Sequence, residues 1–135
     1  MKVRVAWVSK HPILPIQLQV LKQKLGNDIQ IFYYTQPFVD VQELYATLKQ
    51  ADIQYAVVVL PLSMIARLSE FHDITWLYSE MQKVHDNCLG LSCELFNPET
   101  DTILPTRSNH GIFYRHLRFS TFKKIKGVQL LLESF

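Results

Sequence analysis

The chain has 135 residues, of which 48% are hydrophobic and 19% charged, with only 4 glycines and 6 prolines. That composition excludes a disordered, collagen-like or low-complexity chain, and the length suits one domain rather than two. The net charge of +2 hides a division: residues 1–27 hold five basic and no acidic residues, residues 28–101 three basic and eleven acidic, and residues 102–135 six basic and one acidic.

In chain order, Val3, Val5 and Trp7 alternate with Arg4, Ala6 and Val8, which predicts a short, mostly buried strand. Ser9-Lys10-His11-Pro12 breaks it. Pro15 suits the first turn of a helix, where a missing N–H costs nothing, and Leu14, Leu18, Leu21 and Leu25 form one apolar stripe that Gly26-Asn27 stops. Asp28–Tyr34 is predicted as a second strand. Asp40 then caps a helix with apolar face Val41, Leu44 and Leu48, and Glu43 completes a capping-box pattern. The uncharged run Tyr55–Leu60 reads as a central parallel strand covered on both faces. Leu60-Pro61-Leu62-Ser63 turns into a third helix with Leu62, Ile65 and Leu68 inward, and Ile74–Tyr78 is a fourth strand.

The alternation β-α-β-α-β-α-β over residues 1–78 predicts an α/β fold: a three-layer Rossmann-like parallel sheet with right-handed crossovers. Residues 79–111 read as a loop excursion, polar above all over 86–111. Residues 112–135 read as a β extension of two strands, 112–119 and 121–133, added antiparallel at the sheet edge or used as a dimerising hairpin. One domain over 1–135 accounts for all of this. Met1–Val8 has no apolar signal-peptide core, and the longest apolar run, Ala56–Leu62, is far below the ~20 residues of a membrane span. The expectation is a cytoplasmic protein that does not engage a membrane, with Cys88 and Cys93 reduced.

Four groups of residues carry chemistry. Ser9, Lys10 and His11 follow the first strand, where open parallel sheets bind ligands beyond their carboxyl ends. Ser9 can donate a hydrogen bond, Lys10 can pair with phosphate, and His11 can act as acid or base near neutral pH. The loop has no glycine, which argues against a dinucleotide cofactor. Ser63 and Arg67, after the third strand, suit a second phosphate, although Ser and Pro also favour helix starts for structural reasons alone. On the C-terminal basic strand, His116 and Arg118 share a face with Tyr114 and suit phosphate or base contacts, against the simpler reading of charges that protect an edge strand. His85-x2-Cys88-x4-Cys93 with His110 offers zinc-type ligands, but the spacing is not a strong finger pattern, and no metal or cofactor is expected.

Val8-Ser9-Lys10-His11, followed by Gln17 opening the Leu-striped helix to Gly26, resembles the small Rossmann-like (CARF-like) CRISPR-associated ring nucleases, over residues 1–65 at most. Leu60-Pro61 after the third strand resembles a feature of related small families. The resemblance implies binding of cyclic oligoadenylate across a homodimer and its cleavage, without metal, by attack of a ribose 2′-OH. By that analogy Ser9, Lys10 and His11 would hold a scissile phosphate. Ser9 and His11 are then the expected catalytic residues and Lys10 and Gln17 ligand-binding ones, to which the residue chemistry above adds Ser63, Arg67, His116 and Arg118 as ligand-binding. A reading from another class is a non-catalytic, phage- or plasmid-type interaction protein that binds nucleic acid or an acidic partner through its basic C-terminal strands.

Overall fold

The computed structural model describes residues 2–60, 62–68, 70–88, 95–108 and 111–125, without the side chains of 62, 63, 85–88, 106–108 and 111–113. These residues form six strands and three helices: β1 (Val3–Val8), α1 (Pro15–Leu25), β2 (Ile29–Tyr34), α2 (Val41–Gln50), β3 (Tyr55–Val58), α3 (Leu62–Leu68), β4 (Thr75–Cys88), β5 (Asp101–Ser108) and β6 (Gly111–Lys124). The strands lie in the order β2-β1-β3-β4-β6-β5. β1 pairs in parallel with β2 and β3, and β3 with β4, whereas β5 and β6 are antiparallel. The α/β class is as expected, but the sheet is mixed and not a clean Rossmann-like parallel sheet.

The second half departs furthest from expectation. β4 runs on to Cys88, well past Tyr78, and β5 occupies part of the expected loop over 86–111. The two strands expected from residue 112 onward are one continuous β6, whose Ser120-Thr121 junction stays extended. Polar composition suggested a loop there, yet Thr and Ile favour a pleated surface, and Pro105 is tolerated because β5 is an edge strand. Residues 126–133 of the expected last strand lie outside the described residues.

The chain divides into two compact units. The first holds the described residues of 2–11, 28–78 and 123–125. Its core forms because strands alternate their side chains: Ala6 and Val8 of β1 and Ala56 and Val58 of β3 face one side, with Phe32 and Tyr34 of β2 partly buried against them. Val41, Leu44 and Leu48 of α2, with Leu68 of α3, close over that side. Full burial of each such side chain contributes about 1.5–3 kcal/mol. Asp40 caps α2 as predicted: its Oδ1 accepts from the Glu43 amide (2.8 Å), while Glu43 Oε2 accepts from the Val39 amide (2.9 Å). At the other end of α2, Arg4 donates to the Ala51 carbonyl (2.8 Å) and stands over the Phe32 ring, a cation where the helix presents unpaired carbonyls.

The second unit holds the described residues of 12–27 and 79–122. Within it α1 starts at Pro15 as predicted, and Gly26 ends it at φ +99°, a conformation suited to glycine. Leu21 is buried, whereas Leu14, Leu18 and Leu25 are half-buried. The Ile16 amide donates to the Glu99 carbonyl (3.0 Å) and so ties the helix start to the segment before β5. No helix of the described residues is long and apolar enough to cross a membrane.

The two supports of α2 differ in kind, and stability measurements can separate them. Asp40→Ala should cost about 1 kcal/mol, the value of an N-cap. Leu44→Ala, at a fully buried site, should cost about 2–5 kcal/mol. Equal losses in urea denaturation would contradict this assignment.

Candidate ligand cleft and a buried carboxylate

In the first unit, sequential strands lie on opposite sides of β1: the chain goes from β1 out to β2, then back across to β3. The carboxyl end of β1 is therefore a topological switch point, where no connection closes over the sheet and a crevice forms. A cleft of about 230 Å³ lies there, lined by Val8, Ser9 and Lys10 after β1, Tyr34 to Phe38 after β2, and Val59, Leu60 and Met64 after β3. Backbone bonds fix its floor: the Ser9 amide donates to the Tyr34 carbonyl and the Val59 amide to the Val8 carbonyl, both at 3.2 Å.

The loop after β1 is held by its own backbone. Ser9 Oγ accepts from the His11 amide (3.1 Å), and the indole N–H of Trp7 donates to the His11 carbonyl (2.8 Å). Trp7 is buried, so a core residue anchors the loop. Ser9 keeps its hydroxyl proton for a further acceptor. Among the described residues, Lys10 is exposed and makes no ion pair or hydrogen bond, and no carboxylate lines the cleft. Tyr34 and Phe38 form a tilted aromatic pair with centroids 6.5 Å apart. Burial raises the pKa of the Tyr34 phenol, which keeps it a neutral donor. One cation, several hydroxyl and amide groups and an apolar wall thus meet in one place. A second cleft of about 250 Å³, bounded by Leu68, Trp76 and Ile125, presents His72 and Lys124 but lies away from the strand ends where βα loops converge.

Of the residues singled out from sequence, Ser9 and Lys10 line the cleft, and Leu60 brings the end of the third strand to it as expected. His11 is exposed beside it and is not a lining residue. Arg67 is exposed in the last turn of α3 and does not line it either. The Ser63 side chain lies outside the described residues, as do the side chains of His85 and Cys88 and the whole of Cys93 and His110. Gln17 is buried in the second unit, where its Oε1 accepts from the Leu14 amide (2.8 Å) and its Nε2 donates to Ser79 Oγ (2.9 Å). The sequence reading missed Thr35, Gln36, Tyr34 and Phe38. The carboxyl-end rule that picked out Ser9 applies equally to β2 and would have found them.

In the second unit His116 and Arg118 meet a partner that the sequence reading missed. The register sets Asp101 opposite Arg118, and the period of two puts His116 on the same face. Asp101 is fully buried and accepts five hydrogen bonds: from Arg118 Nε (2.8 Å) and an Arg118 terminal nitrogen (3.0 Å), His116 Nε2 (2.5 Å), the Thr100 hydroxyl (2.6 Å) and the Asn97 amide (3.0 Å). Burial alone would raise its pKa. The bonds from Arg118, Thr100, His116 and Asn97 outweigh it and hold the carboxyl well below the usual carboxylate range. Arg118 is raised in turn by Asp101. The buried His116 also lies against the Phe96 ring. These two basic groups are therefore directed at an internal carboxylate.

No family model, no curated protein and no solved structure matches the chain.

Because the folded-state pKa of Asp101 is depressed, its contribution is complete above the unfolded carboxyl value near 4 and is lost as pH falls through the lower folded value. Asp101→Asn should cost about 3 kcal/mol at neutral pH, the scale for removing one partner of a buried pair. Urea denaturation at stepped pH should show the gap to wild type narrowing below about pH 4; a gap independent of pH would rule out the charged state as the cause.

Proposed function

We propose that this chain is a small α/β domain that binds a phosphate-bearing nucleotide in the cleft at the carboxyl ends of β1, β2 and β3. The observation that carries the reading is the convergence of Lys10 and Ser9 with the Tyr34–Phe38 pair at a switch point whose lining, among the described residues, contains no carboxylate. Lys10 supplies a point charge for phosphate, Ser9 a hydroxyl donor, and the aromatic pair with Val59 and Met64 an apolar seat for a base. Val59 is 56% exposed, so a seated base would cover apolar surface that water now touches.

Size refines the reading. Pockets for drug-sized ligands run from about 300 to 1,000 Å³, so a cleft of about 230 Å³ suits one nucleotide unit. Cyclic oligoadenylate would engage it through a single unit of the ring. In the ring-nuclease form of the proposal, a ribose 2′-OH attacks the adjacent phosphorus and loses its proton to water; the new P–O2′ bond closes a 2′,3′-cyclic phosphate as the bond to the 5′ oxygen breaks. Lys10 neutralises charge that develops on the phosphoryl oxygens, and His11 gives a proton to the leaving oxygen.

Calorimetry with adenosine monophosphate, inorganic phosphate and cyclic tetra-adenylate tests the binding. Lys10→Ala should weaken nucleotide binding by about 10-fold or more, the scale of one lost charge-assisted hydrogen bond, and Phe38→Ala should weaken nucleotide but not inorganic phosphate. Absence of binding by all three ligands, or binding indifferent to Lys10→Ala, would sink the reading. Linear product from the cyclic tetramer that disappears in His11→Ala would extend it to catalysis.

A further inference from the structure

The sheet ends in two edges, β2 and β5, and they are built differently. β5 contains the exposed Pro105, and its sequence continues to Arg107. A proline that withholds an N–H and a cationic residue are devices that keep an edge from pairing with another chain. β2 reads Ile-Gln-Ile-Phe-Tyr-Tyr, with no charge and no proline. Among the described residues nothing pairs with its outer side.

The outward backbone groups can be assigned. The Tyr34 carbonyl accepts from Ser9, which continues β1, so it points toward β1. In a strand the N–H and C=O of one residue point the same way and alternate along the chain. Gln30 and Phe32 therefore also turn theirs to β1, and Ile29, Ile31 and Tyr33 turn theirs outward. The side chains of these same three residues share one face, opposite the face on which Phe32 and Tyr34 join the core.

We propose that β2 is a dimerisation edge, which pairs antiparallel with β2 of a second copy of this chain about a two-fold axis at Ile31. In this register Ile31 exchanges both backbone bonds with Ile31 of the partner subunit, and Ile29 does so with Tyr33 of the partner subunit. Every outward group of β2 then finds a partner, which a register shifted by one residue would not achieve. The cross-strand neighbours are β-branched against β-branched and β-branched against aromatic, pairings that stabilise antiparallel sheets. Tyr33, 55% exposed in the single chain, gains a cover. Charge agrees with the pairing. No ionised group within β2 meets its own copy, and Asp28, just before the strand, is carried toward the other strand's carboxyl end, the end at which Lys10 lies. A two-fold axis makes the contact closed, so it yields dimers rather than filaments.

Light scattering on the full chain should give the mass of a dimer, and Ile31→Lys, which sets two ammonium groups face to face, should give a monomer with unchanged far-UV circular dichroism. Cysteine cross-linking tests the register even if that variant fails to fold. Across a hydrogen-bonded antiparallel pair the Cα atoms lie about 5.5 Å apart, within the span of a disulfide. With Cys88→Ser and Cys93→Ser in the background, Ile31→Cys should form a disulfide-linked dimer under mild oxidation, and Gln30→Cys should not. A monomeric wild-type chain would overturn the proposal, as would a dimer that survives Ile31→Lys while Ile31→Cys fails to cross-link.

Discussion

β1 is paired along both edges and buried over its last four residues, and the rest of the first unit follows from that placement. Pairing on both sides satisfies its backbone groups, and burial of successive side chains from Val5 to Val8 means that both faces are covered, which the apolar run Val5-Ala6-Trp7-Val8 suits. The chain can reach β2 and then β3 only by passing from one side of β1 to the other. That passage leaves the carboxyl end of β1 open between two diverging connections, which creates the cleft. It also places β2 at the end of the sheet, with a row of backbone groups unmet.

The second unit is organised around a different constraint, a charge that must be satisfied where water cannot reach it. A buried carboxylate is costly unless its lone pairs are filled. Asp101 fills them from two directions: Asn97 and Thr100 along the chain, Arg118 and His116 across the ladder. The local bonds are reciprocal, because the Asp101 amide also donates to the Asn97 carbonyl (2.9 Å). A shift of the β5–β6 register by one residue would turn Arg118 away from Asp101 and leave the carboxylate short of its charged partner, so the cluster specifies register more than it adds net stability.

The first 78 residues were legible because periodicity and punctuation agree there. The strand-period alternation of β1, the Pro15 and Gly26 that bracket α1 and the Asp40–Glu43 pair at α2 each have a local physical cause, and each lies where that cause puts it. From β4 onward the cause is tertiary. Thr102, Ile103 and Leu104 pair with Leu117, His116 and Arg115, and nothing within the segment announces that partner. The same difference divides the sites. Ser9 and Lys10 could be found because their position after β1 is a property of the fold class. Asp101 could not, because a single acidic residue in a polar stretch acquires its role only through the register with β6. Part of the basic character of residues 102–135 has an internal partner for the same reason: His116 and Arg118 answer an acid just outside the segment boundary.

Edge and cleft share one strand, and this constrains how ligand and dimer can be related. If two β2 strands run antiparallel about Ile31, their carboxyl ends point in opposite directions, and a six-residue strand is roughly 20 Å long. The two clefts then open at opposite ends of the joined strands, each complete with its own Lys10, Ser9, Tyr34 and Phe38. In that arrangement the partner's Asp28 comes toward the Lys10 end of the cleft while the lining residues of each cleft come from one chain, so the proposed nucleotide reading implies one unit per chain. Dimerisation by this edge would act instead on the strand itself: it would fix the backbone of Tyr33, the neighbour of Tyr34, just where β2 enters the cleft. Its effect on ligand would come through pre-organising the Tyr34–Phe38 pair rather than through a shared site.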